Sequence, residues 1–143
     1  MCIRDRFQIA RANYVGVFGA RAIQTNPSAG DGIFYRNSRT RFAEVRDGLS
    51  NTLLVGERAM RQSDSWEGSA TWVGAVPGAH RGMGRVVGRA GRVPNHVLAD
   101  FADFGSWHPF GANFAMADGS VRMINDTIDE TVYHALATRA GGD

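Results

Sequence analysis

Asp118-Gly119 sits in the middle of residues 105–124, a run of alternating side chains, and it restricts that run to one kind of local structure. A two-residue Asp-Gly loop suits a type I′ turn, whose two central positions both take φ > 0. With Ala117 facing Ser120 across such a turn, Met116 pairs with Val121 and Phe114 with Met123. That register predicts an apolar face of Phe114, Met116, Val121 and Met123. The other face carries Ala115, Ala117, Ser120 and Arg122.

The remaining chain reads as further short strands. Asn13 to Phe18, Ile33 to Tyr35, Thr52 to Val55 and Ala70 to Val76 are apolar and bounded by Gly, Pro or Asp. Thr40 to Asp47 reads as a helical turn capped by Thr40, with Phe42 and Val45 on one side. Gln62 to Ser69 reads as an exposed loop. Residues 81–92 carry arginines at helical spacing, but four glycines interrupt them, each costing a helix about 1 kcal/mol relative to alanine. A glycine-rich loop with a short strand at 85–90 is expected there. Thr127 and Glu130 form a capping box that predicts a helix from Ile128. Its apolar stripe is Ile128, Val132, Ala135 and Leu136, and Gly141-Gly142 stops it. Taken together, these elements predict an α+β domain, mainly antiparallel sheet with one C-terminal helix.

Composition removes several chemistries. All 16 basic residues are arginine, so a P-loop lysine, a Schiff-base lysine and a Ser-Lys dyad are excluded. Cys2 is alone, which excludes an internal disulfide and a cysteine zinc site. Residues 1–99 hold 14 Arg against 7 acids, a balance of +7; residues 100–143 hold 2 Arg against 7 acids, a balance of −5. The acidic end is expected to fold back on the basic part, with steering between subunits as the sharper alternative. Nucleic acid is not an expected partner.

His108 and Asp118 are the first pair to weigh as base and orienter. Ser106 and Ser120 are the nearby hydroxyls, but neither lies in a Gly-x-Ser-x-Gly elbow, and Asp118 is already explained by the turn. No catalytic residue is assigned, and His108, Asp118 and Gly119 are read as structural. Asp100, Asp103, Asp126 and Asp129 crowd the C-terminal third and offer hard oxygen ligands, so calcium is the cation to consider, without EF-hand spacing. Trp66, Trp72 and Trp107 are the candidates for a glycan-stacking surface. Gly82-Met83-Gly84 with Gly88 misses the dinucleotide spacing by one residue. Glu57, after an apolar strand, is expected to pair with an arginine.

His108, nine intervening residues, then Asp118-Gly119 resembles the His-X9-Asp-Gly signature of a prepilin-processed family abundant in planctomycete-type bacteria. That family is grouped as a domain of unknown function, number 1559. Ala12 to Gly19, Gly30 to Ser38, Asp47 to Arg58 and Ala135 to Gly142 resemble it too, so the likeness runs from residue 11 to the end. The resemblance implies a pilin-like globular domain whose N-terminal anchor helix is missing from this sequence. It also implies a non-enzymatic pilin- or pseudopilin-like subunit of a type II secretion- or pilus-like assembly. Partners would be copies of itself or other pilin-like subunits. Its location would be the cell envelope, on the periplasmic or extracellular face, anchored to the inner membrane in the complete protein. An exported carbohydrate- or calcium-binding module is the alternative. Residues 1–6 resemble nothing in that family, and residues 1–8 are expected to be a non-native leader, with residues 9–143 forming one domain that continues a longer anchored protein. If a helix normally covers the sheet, its absence should leave a sizeable apolar patch.

Overall fold

The computed structural model describes residues 11–59, 70–71 and 82–141. Five strands form one open sheet in the order β3-β1-β2-β4-β5. They are β1 (Tyr14–Gly19), β2 (Leu53–Glu57), β3 (Val87–Arg89), β4 (Gly111–Met116) and β5 (Val121–Asn125). The sheet is antiparallel except where β3 runs parallel to β1. One turn of helix, α1 (Gly82–Val86), leads into β3, and α2 (Glu130–Ala137) follows β5. The domain is therefore α+β, as its strand and helix patterns predict.

One face of the sheet holds the main core. Val15, Val17, Leu53, Ala112, Phe114, Met116 and Ile124 are buried beneath Phe104 and the α2 residues Tyr133 and Ala137. Phe114 is at the centre, edge-on to Phe104 at 5.1 Å and to Tyr133 at 6.1 Å between ring centroids. Gly56 makes this approach feasible, because a Cβ there would lie 2.5 Å from both phenylalanine rings. The described residues cover the opposite face only in part. Phe34 lies over Gly16, where a Cβ would come within 2.6 Å of its ring. Ile33, Val45, Leu49 and Leu54 close over Ala117 at the hairpin end.

The β4–β5 hairpin exists, but its loop is one residue longer than a type I′ turn. Ala115 pairs with Val121 and Phe114 with Arg122. Gly119 N–H donates to Met116 O at 3.0 Å, and Gly119 takes φ 86°. This is a type I turn closed by a left-handed glycine, the three-residue hairpin. A slip of one residue moves alternate side chains of a strand across the sheet. Phe114 and Met116 therefore stay in the core, joined by Ile124, while Val121 and Met123 face the other way, 70% and 53% exposed.

Other elements differ from the sequence expectation for identifiable reasons. Residues 33–35 form no strand; Gly32 and Phe34 each donate one backbone bond to β1, and the segment then crosses the sheet. The turn near Phe42 is 3-10 in form, from Phe42 to Glu44, with Arg41 at its N-cap. Thr40 instead donates its hydroxyl to Ile33 O at 2.9 Å, and Phe42 is exposed while Val45 is buried. Residues 82–86 are helical despite their glycines, because Phe101 packs where a Gly84 side chain would stand, 2.6 Å from an added Cβ. The last helix starts at Glu130 and is capped by Asp129, whose carboxylate accepts from Thr131 N and Val132 N. Thr127 bonds to Asn125 Oδ1 instead. The helix ends at Thr138, before Gly141, and buries Tyr133 and Ala137, leaving Val132 half exposed. The expected loop at 62–69 and leader at 1–8 lie outside the described residues, as does the strand at 70–76 beyond Thr71, which bridges Arg11.

The two charge-biased parts do meet. Arg89 pairs with Asp100 at 2.9 Å and with Asp103 at 3.3 Å, and Arg92 with Glu130 at 3.6 Å. Each joins an arginine of the basic part to an acid of the acidic end.

Candidate functional site

The partner of His108 is Glu57. Its Nε2 lies 3.5 Å from Glu57 Oε1. Glu57 is the last residue of β2, pointing away from the core because its neighbour Gly56 points into it. Glu57 Oε2 also accepts from Asn113 N at 3.0 Å and Asn113 Nδ2 at 3.2 Å. The expected arginine partner of Glu57 is thus replaced by a histidine and an asparagine. His108 itself is fixed through its backbone: its N–H donates to Ser106 Oγ at 2.9 Å, and its carbonyl accepts from Asn95 Nδ2 at 3.4 Å.

His108 and Asp118 do not meet. All of β4 stands between them, roughly 20 Å of strand at about 3.3 Å per residue. Asp118 belongs to the turn: its carboxylate accepts from Ser120 N at 2.8 Å and Ser120 Oγ at 2.7 Å. The Ser120 hydroxyl holds this carboxyl below the usual range, helped by Ser120 N–H and Ser50. Its backbone N–H donates to Leu49 O, which ties the hairpin tip to the preceding turn. The His-X9-Asp-Gly spacing therefore measures one strand, with a carboxylate-bound histidine before it and a glycine-closed turn after it.

The four acids considered for calcium fall in two places. Asp100 and Asp103 sit together on Arg89. Asp103 is buried and accepts from Asp100 N at 2.8 Å and Gly91 N at 3.2 Å. Burial raises its carboxyl above the ordinary value, only partly opposed by the Asp100 backbone bond and Arg89. Asp129 is occupied as the α2 cap, and the Val132 and Thr131 N–H groups lower its pKa. Asp126 N–H donates to Phe110 O. Among the described residues no three His, Cys, Asp or Glu side chains gather where one metal ion would fit. Of the tryptophans, Trp107 is described and exposed; Trp66 and Trp72 lie outside the described residues.

Arg139 and Tyr133 are two groups that residue pattern alone does not single out. Arg139 Nη1 donates to Gly30 O at 2.7 Å and to Gly32 O, and its guanidinium lies 5.0 Å from the Tyr35 ring centre. It borders a cleft of about 560 Å³ with Arg21, Asp31 and Tyr35, where Arg21 is paired with Asp31 at 3.3 Å. Burial pushes the Tyr133 phenol well above its ordinary pKa, with the Asp103 charge adding to it.

What these parts define is a single-sheet α+β domain whose signature residues brace one end of a strand and close the other. Residues 2–131 match the model of a family described as protein of unknown function (DUF1559), a span that includes most of the leader expected at residues 1–8, and the chain belongs to that family. No curated protein and no solved structure matches it. Among the described residues no helix is long and apolar enough to cross a membrane.

Proposed function

We propose that this chain is the globular part of a non-enzymatic, pilin- or pseudopilin-like envelope subunit, and that the open face of its sheet is an assembly surface. The supporting observation is a row running across the strands on that face. Gly16 pairs with Val55, Val55 with Ala115, and Ala115 with Val121, with Met123 in the next row. A sheet stays stable by burying its apolar face against a second layer. Here the described layer consists of Phe34 over Gly16 and the cluster over Ala117, and exposure increases toward β5, where Val121 and Met123 are bare. Beyond Gly16, which Phe34 covers, the row is valine and alanine, small enough to suit close approach by a helix. An N-terminal anchor helix, or the helix of a neighbouring copy, is the layer this reading supplies. The complete protein would then be held in the inner membrane, with the domain on its periplasmic or extracellular side and other pilin-like subunits as partners. The alternative, an exported glycan- or calcium-binding module, draws on Trp107 as its described tryptophan.

Placing a photo-crosslinking residue at Val121 or Met123 of the complete gene product in cells tests the reading. Crosslinks to its own upstream helix or to a neighbouring pilin-like subunit are expected, and none from the equally bare Phe42. Absence of crosslinks at both positions, together with normal assembly of a Val121→Arg/Met123→Arg variant, would rule the assembly role out.

A further inference from the structure

Residues 93–99 and 104–117 contain no Asp, Glu, Lys or Arg, in a chain of which 21% is charged. The fold brings the loops within these two stretches to one end of the sheet and laces them together. Asn95 Oδ1 accepts from Ser106 N at 2.7 Å, and Asn95 Nδ2 donates to Gly111 O at 3.1 Å. Ser106 Oγ donates to the same carbonyl at 2.6 Å. Asn95 and Phe110 both hold left-handed backbone, φ 62° and 72°. Fixed in this way, Val97, Leu98, Trp107 and Phe110 remain 85%, 73%, 74% and 69% exposed. Four large apolar side chains on a braced tip whose two loops carry no Asp, Glu, Lys or Arg mark an interaction site more than chance exposure.

We propose that this tip is a lipid-interface contact that seats the domain on a bilayer. Tryptophan and phenylalanine suit the headgroup level, with aliphatic neighbours reaching toward the acyl chains. The tip is also at the end where the chain feeds into β1. Arg58 N–H donates to Asn13 O, and Arg58 bridges Gly105 beside the 105–110 loop. A subunit anchored upstream of residue 11 would therefore present this end to the membrane, and for that orientation the inference rests on the anchored-subunit reading. Charge contributes little to the contact. Asp126 is at the rim, and Glu57 is engaged by His108 and Asn113. Binding is apolar insertion, which salt does not screen.

The test is co-sedimentation of the chain with phosphatidylcholine vesicles, and with vesicles of phosphatidylethanolamine and phosphatidylglycerol, at low and high salt. Binding to both kinds at both salts is expected. Trp107→Ser/Phe110→Ser should lower partitioning roughly tenfold or more, the loss of two buried aromatic side chains. Val121→Ser/Met123→Ser should leave it unchanged. If the first variant melts below the wild type, Val97→Ser/Leu98→Ser replaces it with the same expectation. No sedimentation with either vesicle overturns the proposal. So does binding that needs phosphatidylglycerol and vanishes in salt, which is adsorption of arginines. Partitioning unchanged in the variants, or self-association in vesicle-free controls that the variants abolish, also overturns it, the latter in favour of a contact between copies. Vesicle binding can fail while crosslinks at Val121 persist, and the reverse, so the two readings fail separately.

Discussion

The two faces of the sheet are made from the same strands and treated oppositely. On one, Phe114, Met116 and Ile124 are sealed beneath Phe104 and α2. On the other, Ala115, Val121 and Met123 come from the same hairpin, and no described residue forms a layer over the exposed Val121 and Met123 of β5. The difference is not one of hydrophobicity, since valine and methionine occur on both faces. It lies in what the described residues supply to cover each: a helix and the 93–104 segment for the first, and residues 30–51 for only part of the second. Under the proposed assembly role the bare side chains await a partner, whereas the sealed face is what stability depends on.

That contrast can be broken by substitution. Phe114→Ala removes the ring between Phe104 and Tyr133 and should cost about 3–5 kcal/mol in urea unfolding, enough to unfold a marginal domain. Val121→Ser on the open face should stay within about 0.5 kcal/mol. Equal losses would mean that the open face is not free in the isolated domain. Arg139→Ala should cost about 1–3 kcal/mol by orphaning the carbonyls of Gly30 and Gly32. It should also loosen the segment carrying Phe34, read as faster amide exchange at β1 but unchanged exchange at β5.

The smallest effect is the pH dependence. Asp118 and Asp129 have lowered pKa values, so their contribution is present above the unfolded carboxylate value near 3.9 and is lost as pH falls through their folded values. Asp103 is raised, so the folded state binds its proton first, and stability gains as pH falls from its folded value toward about 3.9. A urea midpoint that rises slightly on mild acidification and then falls is expected. Asp103→Asn should abolish the rise, and a rise that persists in that variant would assign it to another group.

Much of this fold is visible in local sequence. The hairpin, the strands at β1 and β2, and the C-terminal helix follow from alternation, turn residues and an acidic first turn. The hairpin register does not. Asp-Gly fits both the two-residue and the three-residue loop, and the choice is made by contacts such as Asp118 N–H to Leu49 O, distant in sequence. Helix α1 is similarly opaque, because glycines that disfavour it alone are what let Phe101 pack against it. The sequence pattern puts the cap of α2 at Thr127, but Asn125 at the end of β5 engages Thr127, and Asp129 caps the helix instead. At the candidate site, the signature histidine and aspartate were legible, but their separation by a strand was not, because spacing does not reveal orientation. Glu57 and His108 are in different blocks of the chain, and only the sheet order brings them together.

The parallel pairing of β3 with β1 has a consequence for how the molecule is made. The hairpin of β4 and β5 closes a short loop and can zip in microseconds, whereas β1 and β3 have residues 20–86 between them. Until that long excursion returns, the outer edge of β1 has no neighbour. Of the four strand pairings this one closes the longest loop, so β3 is expected to arrive late, and a chain caught before it would offer a bare strand edge to its neighbours.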